Sequence, residues 1–137
     1  MRFERISLRG MGPFARTSTL DLAAVRGPLV AISGGNGAGK STLLELLAGA
    51  LYRETPTRGS LASLATARDA FVEVRVANGR SWTIRQVVDA TSGKGEALVL
   101  DERGAAVLPS GKVREYDHWA RAHLPSPEVL YASTFAA

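Results

Sequence analysis

The chain has 137 residues, 45% of them hydrophobic, with a mean hydropathy near zero, which is enough for one domain with a buried core. It contains no cysteine, which excludes disulfides and thiolate metal sites and fits a cytoplasmic protein, and it shows no apolar run long enough for a membrane span or a signal peptide. The net charge of +4 rests on 14 Arg and 3 Lys, but these are scattered along the chain, so charge alone reads as solvated surface rather than a nucleic-acid patch.

From the N-terminus, Arg2 to Arg9 alternates as a strand with Ile6 and Leu8 on one face, and Gly10 to Ala15 forms a turn. Thr17 to Leu22 alternates again, so these two strands are expected to pair antiparallel. Leu29 to Ile32 is apolar on both faces, the pattern of a strand in a sheet covered on both sides. Leu43 to Tyr52 is expected to be a helix with a broad apolar surface. Arg53 to Thr66, rich in Pro, Gly, Ser and Thr, reads as a long loop. Phe71 to Val76 and Ser81 to Val88 form a hairpin around Asn78-Gly79, a pair favoured in type I′ turns. Ala97 to Leu100 and Ala105 to Leu108 suggest a second hairpin. Val113 to Leu124 carries a helical apolar stripe ended by Pro125, and Val129 to Ser133 reads as a last strand.

Between the strand at Leu29 and the helix at Leu43 lies Gly34 to Thr42, which has the form G-x-x-x-x-G-K-[ST]. Strand, glycine loop and helix in that order make it a phosphate-binding P-loop. Gly34, Gly37 and Gly39 let the backbone curl round an anion, with Asn36 and Ala38 in the same loop. The helix that follows adds the positive end of its dipole. In this motif Lys40 reaches the β- and γ-phosphates of ATP, the Ser41 hydroxyl ligates Mg²⁺, and Thr42 supports the α-phosphate.

Asp101-Glu102 follows four apolar residues and imitates a Walker B strand end. The residues after it, Arg103-Gly104-Ala105, turn tightly into a matching strand, so both carboxylates are expected at an exposed hairpin tip. His118 and His123 have no metal-ligand companions nearby in the sequence, and Trp82 and Trp119 fall on apolar faces as core residues.

The order of features resembles the N-terminal half of an SMC-like, ABC-class ATPase head. The SbcC nuclease subunit is the nearest pattern, and RecF and SMC are more distant. The resemblance is carried by Met1 to Ala15 with its Gly12-Pro13-Phe14, by Gly35 to Leu44 running on to Tyr52, by Ala67 to Val74, and by Leu130 to Phe135. It implies an α/β P-loop NTPase fold with an antiparallel β-subdomain. It also implies nucleoside contacts from Ala67, Arg68 and Asp69, and a Q-loop glutamine after Ala137. An arginine that some members place after the first strand is replaced here by Gly12, with Arg9 and Arg16 nearby.

The resemblance makes residues 1–137 a single but incomplete lobe, one part of a longer or split protein, with Walker B and the signature motif elsewhere. Its expected partners are the C-terminal half of the same head and a second head that dimerises with ATP. DNA and a nuclease subunit are further possible partners, without a membrane. An ABC transporter's nucleotide-binding subunit and an ATP-gated dimerisation module that does not hydrolyse are the alternatives.

Overall fold

The computed structural model describes residues 1–21 and 40–134, the side chains of 40–44 and 131–134 excepted. The expected strand at Leu29 to Ile32 and the loop residues Gly34 to Gly39 lie outside the described residues. A five-stranded antiparallel sheet dominates. It is built from β1 (Arg2–Arg9), β2 (Ser18–Asp21), β5 (Ala70–Asn78), β6 (Arg80–Val88) and β7 (Gly95–Leu100), in the order β2-β1-β5-β6-β7.

Alternation decides which face is buried. Val72, Val74 and Val76 of β5, Trp82 and Ile84 of β6, and Val99 of β7 turn inward, while Arg75 and Leu98 stay outside. β1 departs from strict alternation because its register slips between Phe3 and Arg5. The extra residue lets both Phe3 and Ile6 reach the core, opposite Val76 and Val74. On the other face Ser7 is covered by a hydroxyl–hydroxyl bond to Thr19 of β2 at 3.0 Å.

Helix α1 (Lys40–Tyr52) packs on the buried face, and every residue from Glu45 to Leu51 is buried. Such a helix needs cover all round, not on one stripe. The cover opposite the sheet comes from the segment expected to be a long loop. It instead folds as a small hairpin, β3 (Glu54–Thr55) with β4 (Gly59–Ser60), followed by a 3₁₀ turn, Leu61–Leu64. Leu61 is fully inserted, and it comes so near Gly49 that a Cβ there would lie 2.8 Å from Leu61 Cδ1. The polar composition was misleading because one leucine and a set of local hydrogen bonds suffice to order the segment.

Helix α2 (Val113–His123) lays Tyr116 and Trp119 on the core. Trp82 meets Trp119 edge to face at 5.2 Å, and His123 stacks on Trp119 at 4.9 Å. Both tryptophans are therefore core residues, and His123 finishes an aromatic cluster.

Three further expectations need correction. The β5–β6 hairpin exists, but Ala77 faces Ser81 and the turn centres on Gly79 at φ +75°, while Asn78 stays out of the positive-φ region. A type I′ turn needs positive φ at both residues. Asn78 is held otherwise, its side-chain amide donating to His123 O at 3.0 Å. Ala105 to Leu108 forms no strand: it runs beside β7 with a single bridge, Leu100 to Ala106. The residues expected as a last strand belong to helix α3 (Pro127–Thr134). Ser126-Pro127-Glu128 is a helix-start signal, with Pro at the first helical position and the Ser126 hydroxyl 3.4 Å from Val129 N–H. Leu130 is buried from this helix and Val129 is exposed.

Candidate nucleotide site

Of the predicted phosphate-binding residues, Gly34, Asn36, Gly37, Ala38 and Gly39 lie outside the described residues. Lys40, Ser41 and Thr42 form the first turn of α1. That position leaves their backbone N–H groups without helical acceptors, the arrangement an anion at a helix N-terminus requires. The donor set fits a Mg-triphosphate: amides and a lysine for the phosphates, and a hydroxyl for the metal.

The opposite end of α1 is closed by the residue that follows it and by two partners distant in sequence. Gly49 O accepts from Arg53 N–H at 2.8 Å, Ala50 O accepts from the buried Gln86 amide at 3.0 Å, and the Tyr116 hydroxyl donates to Leu51 O. Arg53, at φ 60°, is the one non-glycine residue with positive φ among those described, and it takes the left-handed position that glycine normally fills after a helix. Its guanidinium forks onto Asp117 of α2 at 2.9 and 3.3 Å. A cleft of about 520 Å³ opens here between Leu51, Tyr52, Asp117, Leu124 and Pro125. It lies at the far end of a 13-residue helix from Lys40, roughly 18 Å away, and is not the phosphate site.

Ala67, Arg68 and Asp69 sit together between the 3₁₀ turn and β5. Ala67 O accepts Ala90 N–H at 3.1 Å, Arg68 and Asp69 are exposed, and Asp69 pairs with Arg9 at 3.4 Å. Arg9 is thus committed to this segment. Gly10 is packed against it: at φ +65°, a Cβ there would lie 2.9 Å from Ala67 Cβ. Across the sheet end, the Asp89 carboxyl is held below its usual value, chiefly by Thr91 N–H at 2.8 Å and lastly by the charge of Arg68.

The Asp101-Glu102 pair sits on an exposed turn. The Asp101 carboxylate accepts Ala105 N–H and Arg103 N–H, both at 2.9 Å, and these bonds, the Ala105 one foremost, hold its pKa down. Glu102 pairs with Arg80 at 3.2 Å. Both carboxylates are used by their own surroundings. Among the described residues no group of three His, Cys, Asp or Glu could hold a metal ion, and no helix is long and apolar enough to cross a membrane.

Residues 5–105 match the family model described as an AAA domain. The chain belongs to that family. It is 43% identical over 128 residues to the hemin import ATP-binding protein HmuV of Rhodopseudomonas palustris (strain BisB18), spanning 74% of this chain and 46% of the relative. It is 33% identical over 94 residues to the ribose import ATP-binding protein RbsA of Yersinia pestis, spanning 69% of this chain and 15% of the relative. The SMC head domain from Thermotoga maritima superposes with a TM-score of 0.51 at 27% identity, covering 78% of this chain and 39% of that one. The chain therefore spans less than half the length of each of these proteins.

The fold is that of the N-terminal segment of an SMC-like, ABC-class ATPase head, an α/β P-loop NTPase with an antiparallel sheet. No single-sequence signal pointed to Glu45, Gln86 or Tyr116, because their partners lie 12 to 65 residues away.

Proposed function

We propose that residues 1–137 form the ATP-binding N-terminal lobe of an SMC-like ATPase of the SbcC type, acting in DNA double-strand-break repair or chromosome maintenance. The observation that supports it best is a complete P-loop whose Lys40-Ser41-Thr42 opens α1 in a fold similar to an SMC head. In this reading Gly34 to Gly39 wrap the triphosphate, Lys40 neutralises its β- and γ-oxygens, and Thr42 supports the α-phosphate. Ser41 would hold Mg²⁺, which would supply positive charge to offset that of the triphosphate. Ala67, Arg68 and Asp69 hold the nucleoside end. The carboxylate that activates water comes from outside this chain, as do the C-terminal half of the head and a second head that closes over ATP. DNA and a nuclease subunit act through the assembled cytoplasmic dimer.

The test is titration calorimetry with Mg-ATP. The wild-type chain binds and Lys40→Ala does not; equal affinity for the two would refute the assignment. The likeness to HmuV, an import ATP-binding protein, favours a second reading as a transporter's nucleotide-binding subunit. Duplex DNA titrated against the complete head by fluorescence anisotropy separates the two. Binding supports the repair reading, and its absence supports transport.

A further inference from the structure

Glu45 is a carboxylate with 8% exposure, one turn beyond Lys40 in α1, and it has no cationic partner among the described residues. Burying such a group costs several kcal/mol unless its oxygens are satisfied. One residue satisfies both. Thr57 N–H donates to Oε2 at 3.1 Å, and the Thr57 hydroxyl donates to Oε1. Thr57 lies at the tip of the β3–β4 hairpin, which is itself stitched by Thr55 Oγ1 to Gly59 O and by Arg58 N–H to Thr55 Oγ1, both at 2.9 Å.

The chain leaving that hairpin is then zipped onto the β1–β2 turn. Gly12 N–H meets Leu64 O at 2.8 Å, and Thr66 N–H meets Gly10 O at 2.7 Å. The next three residues are Ala67, Arg68 and Asp69, the last tied to Arg9. A continuous path of chain and hydrogen bonds therefore runs from the first turns of the P-loop helix to the segment assigned to the nucleoside. Glu45–Thr57 is its side-chain link to α1. Leu61 against Gly49 adds an apolar contact further along.

We infer that Glu45 and Thr57 are positioning residues that set how tightly the site grips the nucleoside relative to the triphosphate. A leucine at position 45 would pack on the hairpin without directional bonds, and the retained carboxylate specifies one placement of the hairpin on the helix. Movement at Thr57 is passed through Leu64 and Thr66 to Ala67–Asp69, while Lys40 and Ser41 are left in place. The inference rests on the proposed nucleoside role of Ala67–Asp69.

Two ligands read the two ends separately: Mg-ATP, and Mg-tripolyphosphate, which lacks the nucleoside. For Thr57→Val, which keeps the shape and removes the hydroxyl, ATP affinity falls about tenfold and tripolyphosphate affinity stays within about twofold. Thr57→Ser restores the ATP affinity. Glu45→Gln, which keeps the volume and one acceptor, shifts ATP affinity in the same direction by a smaller factor and serves if the valine variant does not fold. Equal weakening of both ligands, or no change in either, overturns the inference, because a merely structural bond lowers stability without moving their ratio. If the wild-type chain binds ATP no better than tripolyphosphate, the nucleoside assignment itself fails. A wild type that discriminates while Thr57→Val does so equally well refutes the positioning role alone.

Discussion

Removing the Tyr116 hydroxyl should produce a pH-dependent loss of stability. Tyr116 is fully buried, and its hydroxyl donates to Leu51 O in the last turn of α1. In Tyr116→Phe the ring packing survives, but the Leu51 carbonyl is left in the core without a donor, at a cost of about 1–3 kcal/mol near pH 8. Burial, and secondarily the charges of Tyr52 and Asp117, raise the Tyr116 pKa far above its usual 10.0. A raised pKa means that only the unfolded chain releases this proton as pH climbs past 10. The stabilisation is complete below that pH and shrinks above it, by about 1.4 kcal/mol at pH 11. Tyr116→Phe has no proton to release there, and the other tyrosines titrate equally in both proteins. Urea unfolding of both chains at pH 8, 10 and 11 should show the stability gap narrowing by about 1.4 kcal/mol at the highest pH. A constant gap would mean that the hydroxyl is solvated or ionises in the folded state, and the burial argument would be wrong.

Gly10→Ala forces a Cβ into positive φ and against Ala67, and should cost about 2–3 kcal/mol in thermal or urea unfolding. A change under about 0.5 kcal/mol would show that the turn relaxes freely. Glu102→Gln should leave ATP turnover of a complete head unchanged, since the carboxylate serves Arg80; a hundredfold fall in kcat would restore it as a catalytic group. The calorimetric loss of Mg-ATP binding in Lys40→Ala and the ATP-against-tripolyphosphate split in Thr57→Val complete the set.

Elements governed by local pattern were legible in the sequence. The β5 and β6 alternation, the Pro125 stop after α2 and the helix that opens at Lys40 all act within a dozen residues. Elements whose short pattern has two solutions were not. Val129 to Ser133 is a short apolar run that suits a strand, yet Ser126-Pro127 starts a helix there and Leu130 finds the core from it. Asn78-Gly79 satisfies a type I′ turn, yet Asn78 is taken by His123 O from another element. The polar stretch at 53–66 satisfies a loop, yet Leu61 anchors it over α1. For Asn78 and Leu61 a contact from another element chose between local alternatives.

The sequence by itself determined the form G-x-x-x-x-G-K-[ST] at Gly34 to Thr42, and with it the expectation of a phosphate-binding loop at the start of α1. Glycines, a lysine and a hydroxyl at fixed spacing have one common physical use. Only the tertiary structure decided how that helix is held: Gln86 and Tyr116 on its last carbonyls, Arg53 forked onto α2, and Glu45 locked to Thr57. Those bonds join residues separated by 12 to 65 positions, and no periodicity or motif encodes such pairings. They arise because polar groups brought into a shared core must find partners, and the fold determines which partners are within reach.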